Sequence, residues 1–165
     1  MSQIELRPMT RELCHAFYRE FENDPAIFAD RSKFYSFAYT PAWADAYFDR
    51  QMSLGRLLFA VMLEGRPIGE VKLWDLDPQK RECNLGIHLA NDRWKGRGYG
   101  TAAERLALDY SFRELGLEAV NADVILKNTR SQQVLEKAGF HHVRSDENHR
   151  YYRCEKGNAT WKSEK

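Results

Sequence analysis

A glycine-rich, basic loop stands between a strand pattern and a helix pattern just past the middle of the chain. Residues 82–90, ECNLGIHLA, alternate apolar with small or polar side chains, which predicts a strand with one core face and one face suited to a cleft. The loop that follows, DRWKGRGYG, carries three glycines at alternate positions and three basic residues. A helix is predicted from Tyr99 to Leu115, with Gly116 in a C-cap position.

This order of strand, loop and helix predicts an anion-binding site rather than a plain surface turn. The first amides of a helix have no partner within the helix, and the helix dipole adds about half a positive charge at that end. Glycine lets the backbone approach a phosphate with no Cβ in the way. Because Lys95 and Arg97 add charge, we expect a ligand that carries phosphate.

Two nucleotide motifs can be compared with this loop. A P-loop needs Gly-Lys followed by Ser or Thr, and that sequence is absent. The dinucleotide fingerprint fits residues 98–103, GYGTAA, with an acid about 20 residues further on at Glu118. That fingerprint belongs to the first strand of a parallel sheet, however, and the chain beyond Gly100 has room for one crossover. The dinucleotide interpretation is therefore disfavoured.

The bulk properties exclude several classes of protein. A length of 165 residues with 43% apolar and 30% charged residues predicts one globular domain. No apolar run approaches the ~20 residues of a membrane helix, and the N-terminus has no secretory signal pattern. A formal charge of +1 gives no reason to expect nucleic acid. Three widely spaced cysteines fit neither a disulfide framework nor a zinc site, so we expect reduced thiols, a cytoplasmic protein and no bound metal.

Periodicity predicts a mixed α/β fold with an antiparallel first half and a strand–helix–strand crossover in the second half. The predicted strands are QIELRPM, RLLFAVML, IGEVKLW, ECNLGIHLA, AVNADVILK and a closing hairpin of Phe140 with RYYRCE. Besides the helix after the loop, helices are predicted from Arg11 to Glu22, from Thr40-Pro41 to about Met52, and from Asn128 to Ala138.

Two segments of the second half resemble the acetyl-CoA core of the GNAT N-acetyltransferase superfamily. They are LGIHLANDRWKGRGYGTAAERLALDY and ADVILKNTRSQQVLEKAGF, the latter with the Asn-x-x-Ser and Leu-Glu-Lys-x-Gly-Phe pattern of the ribosomal-protein branch. The resemblance covers residues 85–140, and the first 80 residues agree in layout alone. It implies the GNAT fold, a central twisted mixed sheet flanked by helices on both faces, as a single domain over residues 1–165. Within that domain it implies an acceptor-side half (1–80), an acetyl-CoA core (81–140), a closing hairpin (141–156) and a tail (157–165).

The resemblance also implies which residues hold acetyl-CoA, the acetyl donor. In the family a strand that bulges open beside the donor turns a backbone N–H toward the thioester carbonyl, and Leu89 or Ala90 occupies that place. Lys95 stands where many relatives have Gln or Arg. Asn128 either contacts the pantetheine arm or simply caps its helix. The full set implied for the donor is Leu89, Ala90, Lys95, Gly96, Arg97, Gly98, Tyr99, Gly100, Thr101, Asn128 and Ser131.

The candidate catalytic residues are Asp123, Glu82, His88 and Ser131. Asp123 stands where some relatives carry a glutamate that relays the amine's proton through water, so it is the first candidate for the base; Glu70 is a further strand carboxylate. Asn84 occupies a position where relatives often have Glu, and Asn cannot accept a proton. Many GNAT enzymes have a tyrosine acid where this chain has Leu135, which leaves Ser131 as the nearest hydroxyl. Alternatives for the acid are Tyr151 and Tyr152.

The resemblance implies transfer of acetyl to a primary amine by direct attack in a ternary complex, with neither nucleic acid nor membrane as a partner and a homodimer as an option. The acceptor is a protein N-terminus or a small-molecule amine. Five aromatic residues lie where relatives build the acceptor pocket, although core or dimer surface explains them as well: Phe28, Phe34, Tyr35, Phe37 and Tyr39. The alternative function is a non-catalytic acyl-CoA sensor or partner-binding module, favoured by Leu135 and Asn84.

Overall fold

The structure is a computed structural model that describes residues 3–158. Residues 159–165, most of the predicted tail, lie outside the described range. The strands are β1 (Ile4–Pro8), β2 (Leu57–Leu63), β3 (Arg66–Asp77), β4 (Glu82–Leu89), β5 (Ala119–Ile125), β6 (His141–Ser145) and β7 (His149–Glu155). The helices are α1 (Arg11–Arg19), α2 (Pro41–Ser53), α3 (Tyr99–Asp109) and α4 (Thr129–Ala138).

The seven strands form one sheet in the order β1-β2-β3-β4-β5-β7-β6. Strands β4 and β5 are parallel, and the other neighbours are antiparallel. Helices cover both faces: Tyr18 of α1 reaches Glu70 on one face of β3, while Phe59, whose register partner is Val71, contacts Tyr110 beyond α3 on the other. The predicted mixed α/β fold is confirmed.

The two parallel strands pair over a short distance and then diverge. Paired residues run from Glu82 with Ala119 to Asn84 with Asn121. Beyond that point β4 continues against β3 and β5 continues against β7. The sheet is therefore split between the ends of β4 and β5, just before the glycine-rich loop.

Helix α1 ends three residues earlier than predicted. The Glu22 N–H donates to the Ala90 carbonyl at 2.8 Å, so an amide that a longer helix would need is used in a tertiary contact. The predicted helix from Tyr99 to Leu115 is also modified, because α3 passes into a π-helical turn over Tyr110–Glu114. In that turn Ser111 Oγ donates to the Ala107 carbonyl at 2.8 Å, a local bond that competes with regular helix geometry.

Strand β3 is longer than the predicted IGEVKLW because Asp77 organises the following turn. Its carboxylate accepts from the amides of Gln79 and Lys80, and Asp77 pairs with Glu82 after a register shift. Strand β5 ends at Ile125, two residues short of the prediction, and the next amide, that of Leu126, donates to the Asn148 carbonyl. Within residues 3–158, no helix combines the length and the hydropathy needed to cross a membrane.

Candidate acetyl-donor site

The glycine-rich loop holds its backbone in a shape that turns amides outward. Gly96 and Gly98 have φ of +74° and +85°, and Gly98 is the N-cap of α3 with no side-chain cap bond. A Cβ built on either glycine meets no atom within 4 Å. Within the described residues, no protein acceptor takes a hydrogen bond from the amides of Gly96, Arg97, Gly98, Gly100 or Thr101. The geometric condition for an anion site at a helix start is met.

The charge around the loop is distributed differently from the sequence-based expectation. Lys95 is 14% exposed and forms ion pairs with Asp24 at 2.8 Å and Asp92 at 3.3 Å, so much of its charge is already balanced. Burial raises the pKa of Asp24, but hydrogen bonds from Lys95 and from the Ala26 amide outweigh it, and the net pKa lies below the ordinary value. Two further cations, Arg130 and Lys137, line the same cavity.

Sequence reasoning missed Arg130 and Lys137, although a signal was present. Together with Val134 they follow an i, i+4, i+7 spacing, which places all three on one face of α4. That face meets the loop where Val134 lies 3.5 Å from a Cβ built on Gly100. The positive charge available to an anion therefore comes partly from α4.

Two adjoining cavities of about 240 and 260 Å³ extend from the loop into the split of the sheet. We call them together the cleft. The first contains the loop glycines, and the second contains Trp74, Asp123 and Leu135. The residues that line both are Ile27, Ile87, His88, Glu104, Asn128 and Ser131. A ligand with an anionic end at the loop could thus extend between β4 and β5.

The end of β4 decides which amide can face the cleft. The Ala90 N–H donates to the Ile68 carbonyl at 2.8 Å, so Ala90 is not available as the donor to a thioester carbonyl. Successive strand amides point in opposite directions, and the Leu89 N–H therefore points away from β3, toward the split. The register between β3 and β4 is regular from Gly69 to Trp74, so divergence from β5, rather than the expected bulge, opens the strand beside Leu89.

Asn128 and Ser131 are brought together at the start of α4. Asn128 Oδ1 accepts a hydrogen bond from the Ser131 amide at 3.2 Å, so the capping role is present. Both side chains also line the cleft. Contact with a donor molecule therefore remains compatible with capping.

Two of the predicted catalytic bases, Asp123 and His88, line the cleft. Asp123 lines the second cavity with its side chain 47% exposed, and its Oδ2 lies 3.8 Å from His149 Nε2. His88 lines both cavities, and its side chain is exposed to the cleft. Desolvation by the surrounding protein, reinforced by Lys72 and Lys95, lowers the pKa of His88, so the ring is neutral at pH 7.

Glu82, one of the predicted catalytic residues, is not among the residues that line the cleft. It starts β4, seven residues and about 23 Å before Leu89 at ordinary strand rise. There it accepts hydrogen bonds from Arg153 at 2.8 Å and Asn121 at 3.2 Å, and the Arg153 guanidinium, above all, lowers its pKa. This network is that of a structural ion pair.

The tyrosine alternatives for the acid also lie elsewhere. The Tyr151 hydroxyl donates to Asp146 at 2.7 Å. The buried Tyr152 hydroxyl donates to Glu136 at 3.1 Å. Neither tyrosine lines the cleft, whereas Leu135, at the family's tyrosine position, lines its second cavity.

Two buried carboxyl groups flank the split, one on each face of the sheet. Glu70, the register partner of His88, accepts hydrogen bonds from the hydroxyls of Tyr18 at 2.7 Å and Tyr47 at 3.0 Å, and burial raises its pKa. Glu104 of α3 is 1% exposed and lines both cavities. Its helical spacing with the buried Ala107 and Leu108 was the available sequence signal.

The predicted aromatic pocket is divided in the structure. Phe37 joins a cluster around Trp43, which stacks on Tyr47 with ring centroids 5.1 Å apart. Phe28 instead contacts Phe34 and Tyr35 in a separate group, at 5.6 and 5.8 Å. Tyr39 hydrogen-bonds with His15.

The family model and the similar proteins that this chain matches are all acetyltransferases. Residues 3–141 match the model of a family described as "Acetyltransferase (GNAT) domain". The chain is 37% identical over 78 residues to a probable N-acetyltransferase, YjcK, of Bacillus subtilis, covering 47% of this chain and 43% of that protein. It is 30% identical over 116 residues to the putative ribosomal N-acetyltransferase YdaF of the same species, covering 66% and 63%. The matches thus span about half of these relatives' length.

The fold is shared with solved structures. One of them, "AAC(6')-Ib in complex with Parmomycin and AcetylCoA", superposes with a TM-score of 0.75 over 98% of both chains at 19% identity. At that identity the likeness concerns the fold alone. The family model, however, covers most of the chain, including β4, the glycine-rich loop and α4. This chain therefore belongs to the GNAT acetyltransferase family.

Proposed function

We propose that this protein is a cytoplasmic N-acetyltransferase that moves an acetyl group from acetyl-CoA to a primary amine by direct attack in a ternary complex. The observation that carries the proposal is the set of unpaired amides of Gly96, Arg97, Gly98, Gly100 and Thr101, which opens on a cleft that enters the split sheet. In this proposal two parts of a single domain bind the two substrates: residues 81–140 bind the acetyl donor, and residues 1–80 form most of the site for the amine acceptor.

The residues at the loop fit a diphosphate. Five main-chain donors and the start of α3 supply hydrogen bonds and a favourable dipole, while Arg130 and Lys137 add charge. The space beside Gly98 is open, so a phosphate oxygen could approach the backbone there. When bound, acetyl-CoA would supply an acetyl group activated as a thioester.

The residues further inside the cleft have the roles that the chemistry requires. The Leu89 N–H, which points toward the split, would donate to the carbonyl oxygen as that oxygen gains negative charge. The amine must lose a proton to attack, and Asp123 in the second cavity would accept that proton, directly or through water. The neutral His88 ring and Ser131 would position the amine and that water. Attack by the amine would form the new C–N bond and break the C–S bond, and the departing sulfur would take up a proton from water.

The acceptor side carries features suited to an amine. The aromatic rings of Trp43 and Tyr47 lie on the α1–α2 face of the sheet, where Tyr47 contacts Glu70, the register partner of His88. Aromatic faces attract ammonium groups. One relative is named a putative ribosomal N-acetyltransferase and one structure of the same fold an aminoglycoside acetyltransferase, so peptide amines and aminoglycosides both belong in the first screen for this protein.

A calorimetric titration with acetyl-CoA tests the donor site, and the absence of binding at millimolar ligand would refute the proposal. A panel of peptide N-termini, polyamines and aminoglycosides, with detection of released thiol, tests catalysis. Binding without turnover on any amine would favour the alternative, an acyl-CoA sensor, which is supported by Leu135 in place of a tyrosine acid. The homodimer option is tested by light scattering on the same preparation.

A further inference from the structure

Glu104 is the one described side chain in which a buried carboxyl oxygen has no partner. Its Oε1 is inaccessible to solvent and has no hydrogen-bond partner within residues 3–158. The residue as a whole is 1% exposed, yet it lines both cavities of the cleft. It lies one turn beyond Thr101 on α3, so it follows the anion-binding amides into the split of the sheet.

A buried carboxyl group without a hydrogen-bond partner lowers the stability of the folded protein. Burying a polar group without a hydrogen bond is unfavourable, and burying an unpaired carboxylate is far more so, so such a group stays protonated or finds a partner. Glu70 on the other face of the sheet has two tyrosine hydroxyls as partners. Glu104 Oε1 has no such partner within residues 3–158, and the residue lines both cavities of the cleft, so its partner is expected from a ligand.

The surroundings keep Glu104 neutral. Burial alone raises the pKa of Glu104 to about 8. The titratable and charged groups that face the cleft from the neighbouring elements are His88 of β4, Asp123 of β5, Lys95 of the loop, Arg130 and Lys137 of α4, Glu22 and Asp24 after α1, and His149 of β7. None of them contributes to this shift. At pH 7 the group is a carboxylic acid with an O–H to donate.

We propose that Glu104 is a donor-binding residue whose neutral carboxyl group gives a hydrogen bond to a carbonyl oxygen of the amide-bearing pantetheine arm of the acyl donor. The inference rests on the proposed function, since it assumes an acyl-CoA in the cleft. It assigns to α3 a polar contact inside the split, beyond the phosphate contacts at the helix start. Loss of the proton from Glu104 removes the contact and places a negative charge against the arm.

The test compares acetyl-CoA with a nucleotide that lacks the arm, 3′-phosphoadenosine 5′-diphosphate. Calorimetric Kd values are measured at pH 7.0 and pH 9.0, at constant ionic strength, for the wild type and for Glu104→Gln, which stays neutral and keeps a hydrogen-bond donor. The competent fraction falls from about nine-tenths to about one-tenth between these pH values, so the wild type should lose about ten-fold in affinity for acetyl-CoA. Glu104→Gln with acetyl-CoA, and both proteins with the nucleotide, should change less than about two-fold.

The outcomes separate this inference from the proposed function. An equal ten-fold loss in Glu104→Gln, or a wild-type loss no larger than that of the arm-less nucleotide, overturns the inference and leaves the donor site standing. Failure of acetyl-CoA to bind the wild type at either pH overturns both.

A measurement on the wild type alone keeps the inference testable if the variant does not fold. At pH 8, about half of the free protein has an ionised Glu104, so binding of acetyl-CoA should take up about half a proton more than binding of the arm-less nucleotide. Titrations in buffers of different ionisation enthalpy measure this uptake. Equal proton uptake for the two ligands overturns the inference.

Discussion

The neutral state of Glu104 predicts a specific pH dependence of protein stability. The folded protein keeps this proton up to a pKa of about 8, whereas the unfolded chain releases it near the ordinary value of 4.5. Between these values the unfolded state binds fewer protons, so the free energy of unfolding falls as the pH rises. At about 1.4 kcal/mol per pH unit, the full interval corresponds to about 5 kcal/mol. Glutamine does not titrate, so Glu104→Gln removes this dependence.

The assay is urea denaturation of wild type and Glu104→Gln at four pH values from 5 to 8. Glu70 also has a raised pKa and contributes to the pH dependence of both proteins, so the informative quantity is the difference between their free energies of unfolding. We expect the wild type to lose about 1.4 kcal/mol per pH unit relative to the variant up to about pH 7, with a smaller loss between pH 7 and pH 8 as the folded-state pKa is approached. Glu147→Gln, the same loss of charge at an exposed residue between β6 and β7, should change stability by less than about 0.5 kcal/mol.

A difference between wild type and Glu104→Gln that stays constant from pH 5 to pH 8 would refute the reasoning. It would mean that Glu104 titrates alike in the folded and unfolded states, and thus that water or a side-chain partner reaches the carboxyl group in solution. The binding inference would then lose its premise of a neutral acid facing the cleft.

Three further predictions concern the loop and the cleft. Gly98→Ala adds a Cβ at φ of +85°, in the space where a phosphate would approach, and should weaken acetyl-CoA binding about ten-fold or more by calorimetry. The control is Gly55→Ala, with φ of +70° outside the cleft. It should cost about 1–2 kcal/mol of stability and leave the affinity unchanged. Equal affinity of the two variants would contradict a phosphate at the loop. Asp24→Asn keeps the cap on the next turn but removes the shorter of the two ion pairs of Lys95, so binding should tighten about five-fold, by about 1 kcal/mol; weaker binding would show that the ion pair instead shapes the site. Asp123→Asn should lower turnover about 100-fold with an unchanged Kd for acetyl-CoA, and full activity would eliminate this base.

Local signals predicted most of the fold. Thr10, Thr40 and Asn128 cap their helices through side-chain bonds to amides, as their residue types indicate, and Gly139 ends α4 in the left-handed region. Strand β4 and the start of α3 follow from patterns inside a single segment. These features depend on neighbours within about four residues in sequence, which a sequence displays directly.

Long-range contacts determine the structural features that could not be predicted from the sequence. Helix α1 ends early because the Glu22 amide meets the Ala90 carbonyl, 68 positions later in the sequence. Lys95 contributes less free charge than expected because Asp24 lies against it. Glu82 has the residue type of a base and lies on the correct strand, but at the end that Arg153 neutralises. In each case the missing information is the identity of a partner that only the folded chain provides.

The two buried carboxyl groups show why partner identity decides function here. Glu70 and Glu104 are equally inaccessible, and burial raises the pKa of both. The hydroxyls of Tyr18 and Tyr47 satisfy Glu70 internally, so its cost of burial is offset within the fold. Glu104 has no such compensation, and leucine at that position would remove the cost of an unpaired oxygen. Glu104 therefore lowers the stability of the ligand-free protein while it borders both cavities of the cleft. This cost is explained when the compensating hydrogen bond forms with the ligand that fills the cleft.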